Sequence, residues 1–274
     1  MAAAENDVVA WWRTSITDIR PGVIRLRGYA IEDLIGHTTL PEVIWLLLRG
    51  ELPSAQEADL LGAALVASVD HGPHAPSIAI ARMAMSSGVQ INNAVACGVN
   101  ALGDIHGGAG KQAMLLYGTI SERAERDEVS LSAAAASEVG ERLAHSEIIP
   151  GFGHRFHPID PRTPRLLALV DEATAAGVVE GHVATVGRAV EKALGDHAGR
   201  PVPMNIDGVT AIVYGELGFP PDLARGLFVL SRSVGILAHS WEQSQEGARV
   251  KGPVPKSTAY AYSGPAERDL YGER

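Results

Sequence analysis

The sequence predicts an all-α protein. Three observations carry that prediction: capped segments with apolar residues at helical spacing recur along the chain, strand-like alternation does not stand out, and several stretches rich in small residues suit close helix packing. Thr39 stands three residues before Glu42, with Pro41 in the first turn, and "VIWLLLR" then runs to Gly50, giving a capping box, a helix and a glycine stop. Ser54 and Glu57 repeat the box, and Leu61, Leu65 and Val69 fall four apart on one face of the helix that follows. From Ala79 to Val99 the abundance of Ala, Met and other small residues predicts packed helices rather than a sheet. Further helices are expected from about Ala109, from Thr163-Pro164 to near Gly177, along Val183, Val186, Val190 and Leu194, after Asp207, and over a long stretch from Asp222 to about Gln243. The irregular segments left over, 70 to 76, 103 to 110, 149 to 163 and 201 to 208, are where chemistry is expected, because loops on a rigid scaffold tend to carry it.

At 274 residues the chain suffices for one large domain or two modest ones, and 46% hydrophobic residues can furnish a packed core. A formal charge of −9 argues against a broad nucleic-acid or anionic-membrane surface, so an anionic ligand must meet a local cluster of positive groups. Cys97 stands alone, which excludes an intrachain disulfide and a cysteine metal framework. The start "MAAAENDVVAWWRT" lacks the basic and apolar regions of a signal peptide, and no apolar run would span a bilayer, so a cytoplasmic protein is expected.

The stretch "GDIHGGAGKQAM" suggests a phosphate loop, but Ile105 stands where the first Walker glycine belongs and Gln112 replaces the magnesium-binding hydroxyl. What remains is His106 before Gly107 and Gly108, which either gives a ligand close access to the imidazole or simply forms a tight turn. "IIPGFGHRFHPIDPR" sets His154 and Arg155 behind a glycine-bracketed phenylalanine and puts Arg162 after Asp160-Pro161. The arginines offer forked donors for carboxylate or phosphate. His154 and His157 are spaced like a helical metal pair, yet Pro158 and Pro161 oppose a helix there and a pair needs further ligands. The stretch "VDHGPH" ends a helix with two histidines, His71 and His74, and histidine in a last helical turn is also ordinary compensation of the helix dipole. Asp207 falls at a helix start, where a cap would stabilise its carboxylate and burial by Ile206, Val209 and Ile212 would do the opposite. Arg232 and His239, seven apart, nearly share a helix face that is otherwise apolar, so Arg232 needs an internal carboxylate or an anionic ligand.

The order of these pieces resembles the citrate synthase superfamily over most of the chain: a histidine after a helix, His-Gly-Gly, Gly-Phe-Gly-His-Arg with a following Asp-Pro-Arg, Asn-Ile-Asp, and an arginine helix ending in Ala-His. "IRLRGYAIEDLIGHTTLPEVIWLLLRGELP" is similar to that family's Arg-Gly-Tyr segment. The chain is short, and "VDHGPHAPSIAIARMAMSSG", "NIDG" and "GLFVLSRSVG" look closer to citryl-CoA lyases and the citryl-CoA-cleaving part of ATP-citrate lyase, while His106 is more like the synthases.

The resemblance implies a citrate synthase-like homodimer, each subunit with a large helical domain, 1–109 and 216–274, and a smaller mobile one, 110–215. It implies citryl-CoA lyase activity forming acetyl-CoA and oxaloacetate. The alternatives are a citrate or methylcitrate synthase-type condensation and a non-catalytic CoA-binding subunit. His154 would bond the citryl hydroxyl or the oxaloacetate ketone, His106 would stabilise the thioester enol, and Asp207 would exchange the carbon-bound proton. His71, Arg162 and Arg232 would bind carboxylates, and Pro150, Gly151, Phe152, Gly153 and Arg155 would hold CoA. CoA thioesters enter as substrates; no metal and no tightly bound cofactor is implied. The family's further carboxylate-binding arginine near the C-terminus has no match, leaving Arg249, Lys251 and Lys256 as the basic residues there. Lys111 is at most a contact to the CoA phosphates.

Overall fold

The computed structural model describes residues 8–154, 157–247, 249–252, 257–258 and 261–266. Helices dominate, as the capping pattern predicts, and one departure comes first in the chain. Thr17–Arg20 (β1), Val23–Leu26 (β2) and Tyr29–Ala30 (β3) form a small antiparallel meander, with Thr17 opposite Leu26 and Leu26 opposite Tyr29. Its strands are short and none of their residues is fully buried, so no inward face imposes the alternation that would mark a strand in sequence. Arg27 holds it in place, donating Nε and Nη2 to the Leu47 carbonyl at 3.2 and 2.8 Å.

The short turn Ile31–Leu34 (α1) leads to Leu40–Arg49 (α2) and Ala55–Ser68 (α3). Both predicted capping boxes are present: the Glu42 carboxylate accepts from the Thr39 amide at 2.6 Å, and that of Glu57 accepts from the Ser54 amide at 2.8 Å. Gly50 takes the left-handed conformation that stops α2, with φ 97°. Pro76–Ser86 (α4) and Ile91–Asn100 (α5) divide the small-residue stretch. Ala109–Arg126 (α6), Leu131–Ala144 (α7), Arg162–Ala175 (α8), His182–Ala198 (α9), Ile206–Glu216 (α10) and the long Pro221–Glu246 (α11) complete the order.

A large apolar core joins α2 and α3 to α6–α10 through residues such as Trp45, Leu61, Ile120, Val186 and Ile212. A smaller one, built on Ile78, Ala81, Leu102, Phe228 and Ile236, seats α11 on α4 and α5. α11 also runs along α3 and α6. At Gly235 it comes so close to the end of α3 that any Cβ would overlap the Val69 carbonyl oxygen. That approach buries Arg232 against the end of α3. Among the described residues no helix is long and apolar enough to cross a membrane.

Candidate active site

The loops singled out above converge. His71, His106, Gly153, His154, Arg162, Asp207 and Arg232 line one cleft of about 380 Å³, together with His74, Ile105, Asn205 and Phe228. Pro150 and Gly151 are buried behind it. Arg155 and Lys256 lie outside the described residues.

Two loops make the cleft's framework by pairing with each other. Gly153 donates its amide to Pro203 O at 2.7 Å, Asn205 donates its amide to Gly151 O at 3.0 Å, and Phe152 faces Met204 across this short bridge. The Asn205 side chain adds a bond to Gly153 O at 2.7 Å. Gly151, at φ 87°, sits directly on Gly208: a Cβ at 151 would meet Gly208 Cα at 2.7 Å. Backbone atoms of Gly151 and Gly153 are thus spent inside the protein, whereas the amide and carbonyl of Phe152 are directed away from the Met204 side of the bridge.

Asn205, not Asp207, caps α10; its side-chain oxygen accepts from the amides of Asp207 and Gly208 at 2.9 and 3.3 Å. Asp207 is therefore free of the capping role its position suggested, and burial pushes its carboxyl above the ordinary range despite the opposing pull of Arg162 and Arg232. A proton-exchanging carboxyl benefits from that shift.

His106 lies across the cleft in the turn before α6. Its Nε2 accepts from the Ser77 amide at 3.2 Å and lies 3.0 Å from the Ser77 hydroxyl. Burial, aided by the Arg232 charge, holds its pKa below the ordinary value, so the ring is neutral with its proton on Nδ1. Glycine clearance for a ligand is only part of the explanation of this loop. Gly107 has φ 110°, and a Cβ on Gly108 would meet Asp104 O at 2.6 Å, so both glycines are demanded by the turn itself. The turn is pinned to α11 by an Arg225–Asp104 ion pair, and Lys111 pairs with Asp222 at 2.6 Å.

The cationic side of the cleft is built on the end of α3. Arg232 donates Nε to Ser68 O at 3.0 Å, stacks 4.8 Å from the Phe228 ring, and is 3% exposed. Among the described residues no carboxylate lies within ion-pair distance of it, and burial works against its charge. Arg162 differs: Asp160, itself buried, takes its Nε at 2.8 Å and Nη2 at 2.7 Å, while its Nη1 reaches Ala67 O at 3.3 Å. Asp160 also accepts from the Ile206 amide at 3.2 Å, tying this arginine to the start of α10. Only part of the Arg162 fork is left for a ligand.

His71 follows the end of α3 rather than capping it. Its ring centroid lies 5.1 Å from that of His154, and burial first, then the nearby Arg162, keeps its pKa low. His154 Nδ1 accepts from the His157 amide at 3.1 Å, and burial keeps this ring neutral too. His71, His154 and His157 are the metal-capable group among the described residues, with ring nitrogens within 4.8 Å of one another. Tetrahedral imidazole coordination at about 2.0–2.1 Å needs nitrogens only about 3.4 Å apart. Two neighbouring guanidiniums and the amide bonded to His154 further favour anions over a cation here.

Asp160, Ser77 and Asn205 were not singled out by sequence reasoning as site residues. Asn205 carried a signal, a capping residue two before an acidic one. Ser77 carried none, because its bond to His106 spans 29 residues.

Fold and cleft define a helical protein whose site sets an excess of buried positive charge beside a raised carboxyl and a neutral imidazole. The model of the citrate synthase C-terminal domain matches residues 5–61 and 54–251. The structure of citryl-CoA lyase from Hydrogenobacter thermophilus superposes with a TM-score of 0.82 and 32% identity, covering 94% of this chain and 97% of that one. Citrate synthase from Haloferax volcanii is 30% identical over 209 residues, 75% of this chain and 52% of its own length. ATP citrate lyase from Methanothrix soehngenii, solved with citrate and coenzyme A, shares the fold with a TM-score of 0.76 at 21% identity, covering 96% of this chain and 44% of that one. The chain belongs to the citrate synthase family. It spans about half the length of the curated relatives it matches.

Proposed function

We propose that the chain is a citryl-CoA lyase, cleaving citryl-CoA to acetyl-CoA and oxaloacetate. The observation that carries this reading is the arrangement in one cleft of Asp207 with a raised pKa, neutral His106 and an Arg232 that has no ion pair among the described residues. In a retro-Claisen cleavage the C3 hydroxyl gives up its proton to solvent, the carbon–carbon bond pair passes to the thioester as an enolate, and the enolate carbon takes a proton from a carboxyl that solvent then reprotonates. His154, its ring oriented by the His157 amide, bonds the oxygen that changes from hydroxyl to ketone. His106, through Nδ1–H, steadies the enolate oxygen, and protonated Asp207 supplies the carbon-bound proton. Arg232 and His71 take the carboxylates, with the remaining Arg162 donors beside them. The Phe152 backbone and neighbouring loop meet CoA, which arrives as substrate. His106→Ala should lower kcat about 10²–10³-fold, the loss typical of one oxyanion donor, with a smaller change in KM.

The lyase is favoured over a synthase by the nearly end-to-end superposition on a citryl-CoA lyase. Condensation of an acyl-CoA with oxaloacetate is the second reading, supported by the curated relatives called citrate synthase. A homodimer belongs to either reading, since α11 leaves Leu230, Val234, Leu237 and Trp241 exposed along one face. Purified protein incubated separately with citryl-CoA and with acetyl-CoA plus oxaloacetate decides between them. Faster turnover of citryl-CoA supports the lyase, condensation alone supports the synthase, and inertness in both supports a non-catalytic CoA-binding subunit.

A further inference from the structure

The Ala-His of the arginine helix has no part in the chemistry above, yet His239 sits in a continuous chain of bonds that ends at the substrate loop. Arg82, nearly buried on α4, approaches His239 Nδ1 at 3.3 Å and is itself held by Glu242 and Glu246 on α11. An arginine can only donate, so Nδ1 accepts and Nε2–H is the ring's donor. That Nε2 lies 3.3 Å from Asp70 Oδ2, an acceptor, so the bonding sense runs without conflict from Arg82 through His239 to Asp70. Asp70 Oδ2 also accepts from the Gly72 amide at 3.1 Å, across His71. Burial alone would raise the Asp70 pKa, but the bonds from Gly72 and His239 bring it below the ordinary value.

Three residues on one face of α11 therefore grip three consecutive residues that precede His71. Arg232 bonds Ser68 O, Gly235 presses on Val69, and His239 holds Asp70. We propose that His239 is a positioning residue for the carboxylate pocket: it transmits the fixed position of Arg82 to Asp70 and so sets His71 in register with Arg232. The proposal rests on the reading that His71 and Arg232 meet a carboxylate.

The test is a pair of variants in the full chain, read by isothermal titration of oxaloacetate, which requires no turnover, and by kcat and KM. His239→Leu fills similar space but neither donates nor accepts, leaving Arg82 and Asp70 unpaired toward each other. His239→Gln offers an acceptor and a donor at a separation like that of the two ring nitrogens. The leucine variant is expected to weaken oxaloacetate binding and raise KM, lowering kcat/KM about 10–100-fold as pocket groups are misplaced, with kcat less affected. The glutamine variant should recover most of that loss. Ser231→Ala, which removes a bond between α11 and Leu65 O outside this chain, controls for general loosening and should leave affinity near the wild-type value. Equal affinity of the leucine variant and wild type, or equal loss in both His239 variants, overturns the proposal. A wild-type protein that binds no oxaloacetate overturns the functional reading and this inference with it.

Discussion

Asp207→Asn is expected to lower turnover about 10²–10⁴-fold, the range for losing a general acid–base, while making the folded protein more stable at neutral pH. Both effects come from burial. The carboxyl's folded pKa is raised, so the folded state keeps a proton that the unfolded chain has already released. Stability from this group is present below the unfolded pKa, about 4, and is lost as pH rises through the folded pKa. Asparagine has no proton to lose. The stability advantage of the variant should therefore be smallest near pH 4 and grow to a plateau above the raised pKa. Thermal melts across this window, beside kcat at one pH, check both halves. A variant with near-wild-type turnover would remove Asp207 from the chemistry, and an advantage that shrinks with pH would contradict the raised pKa.

Gly208→Ala should have a large structural effect. A Cβ there would overlap Gly151 O and meet Met204 Cγ at 2.6 Å, both on the loops that frame the cleft. Overpacking of this kind costs about 1–3 kcal/mol, and backbone leaves little room to relax. The expected fall in Tm is roughly 2–10 °C. Because Gly151 and Asn205 belong to the same junction, kcat should fall as well. Gly226→Ala on α11 is the matched control, since nothing lies within 4 Å of its added Cβ. It should gain about 0.5–1 kcal/mol from helix propensity. A Gly208 variant as stable and active as the wild type would show that the loop–helix contact is not needed.

These cases also mark how far the sequence could be read. The capping boxes at Thr39 and Ser54 are local, spanning three residues, and both are present in the fold. The β1–β3 meander escaped because its two- to four-residue strands bury too little to be patterned. At the site, the order of motifs identified His106, His154, Asp207 and Arg232 as a set, and the fold brings them into one cleft. Their partners could not be read. Asn205 displaced Asp207 from the cap, Asp160 took up most of Arg162, and the glycines beside His106 proved necessary to their own turn. Each depends on a contact between segments distant in sequence or on a backbone conformation that composition alone leaves open. His239 is the same kind of case, since its spacing from Arg232 was visible but Asp70, 169 residues away, was not.

On the function proposed above, this cleft breaks a carbon–carbon bond and protonates the released carbon through Asp207. Citryl-CoA incubated with the protein in D₂O, with the products examined by mass spectrometry, tests it most directly. The expected products are oxaloacetate and acetyl-CoA whose methyl group carries one solvent deuterium, with loss of both in Asp207→Asn. Recovery of unchanged citryl-CoA, or of citrate and free CoA from thioester hydrolysis, would contradict it.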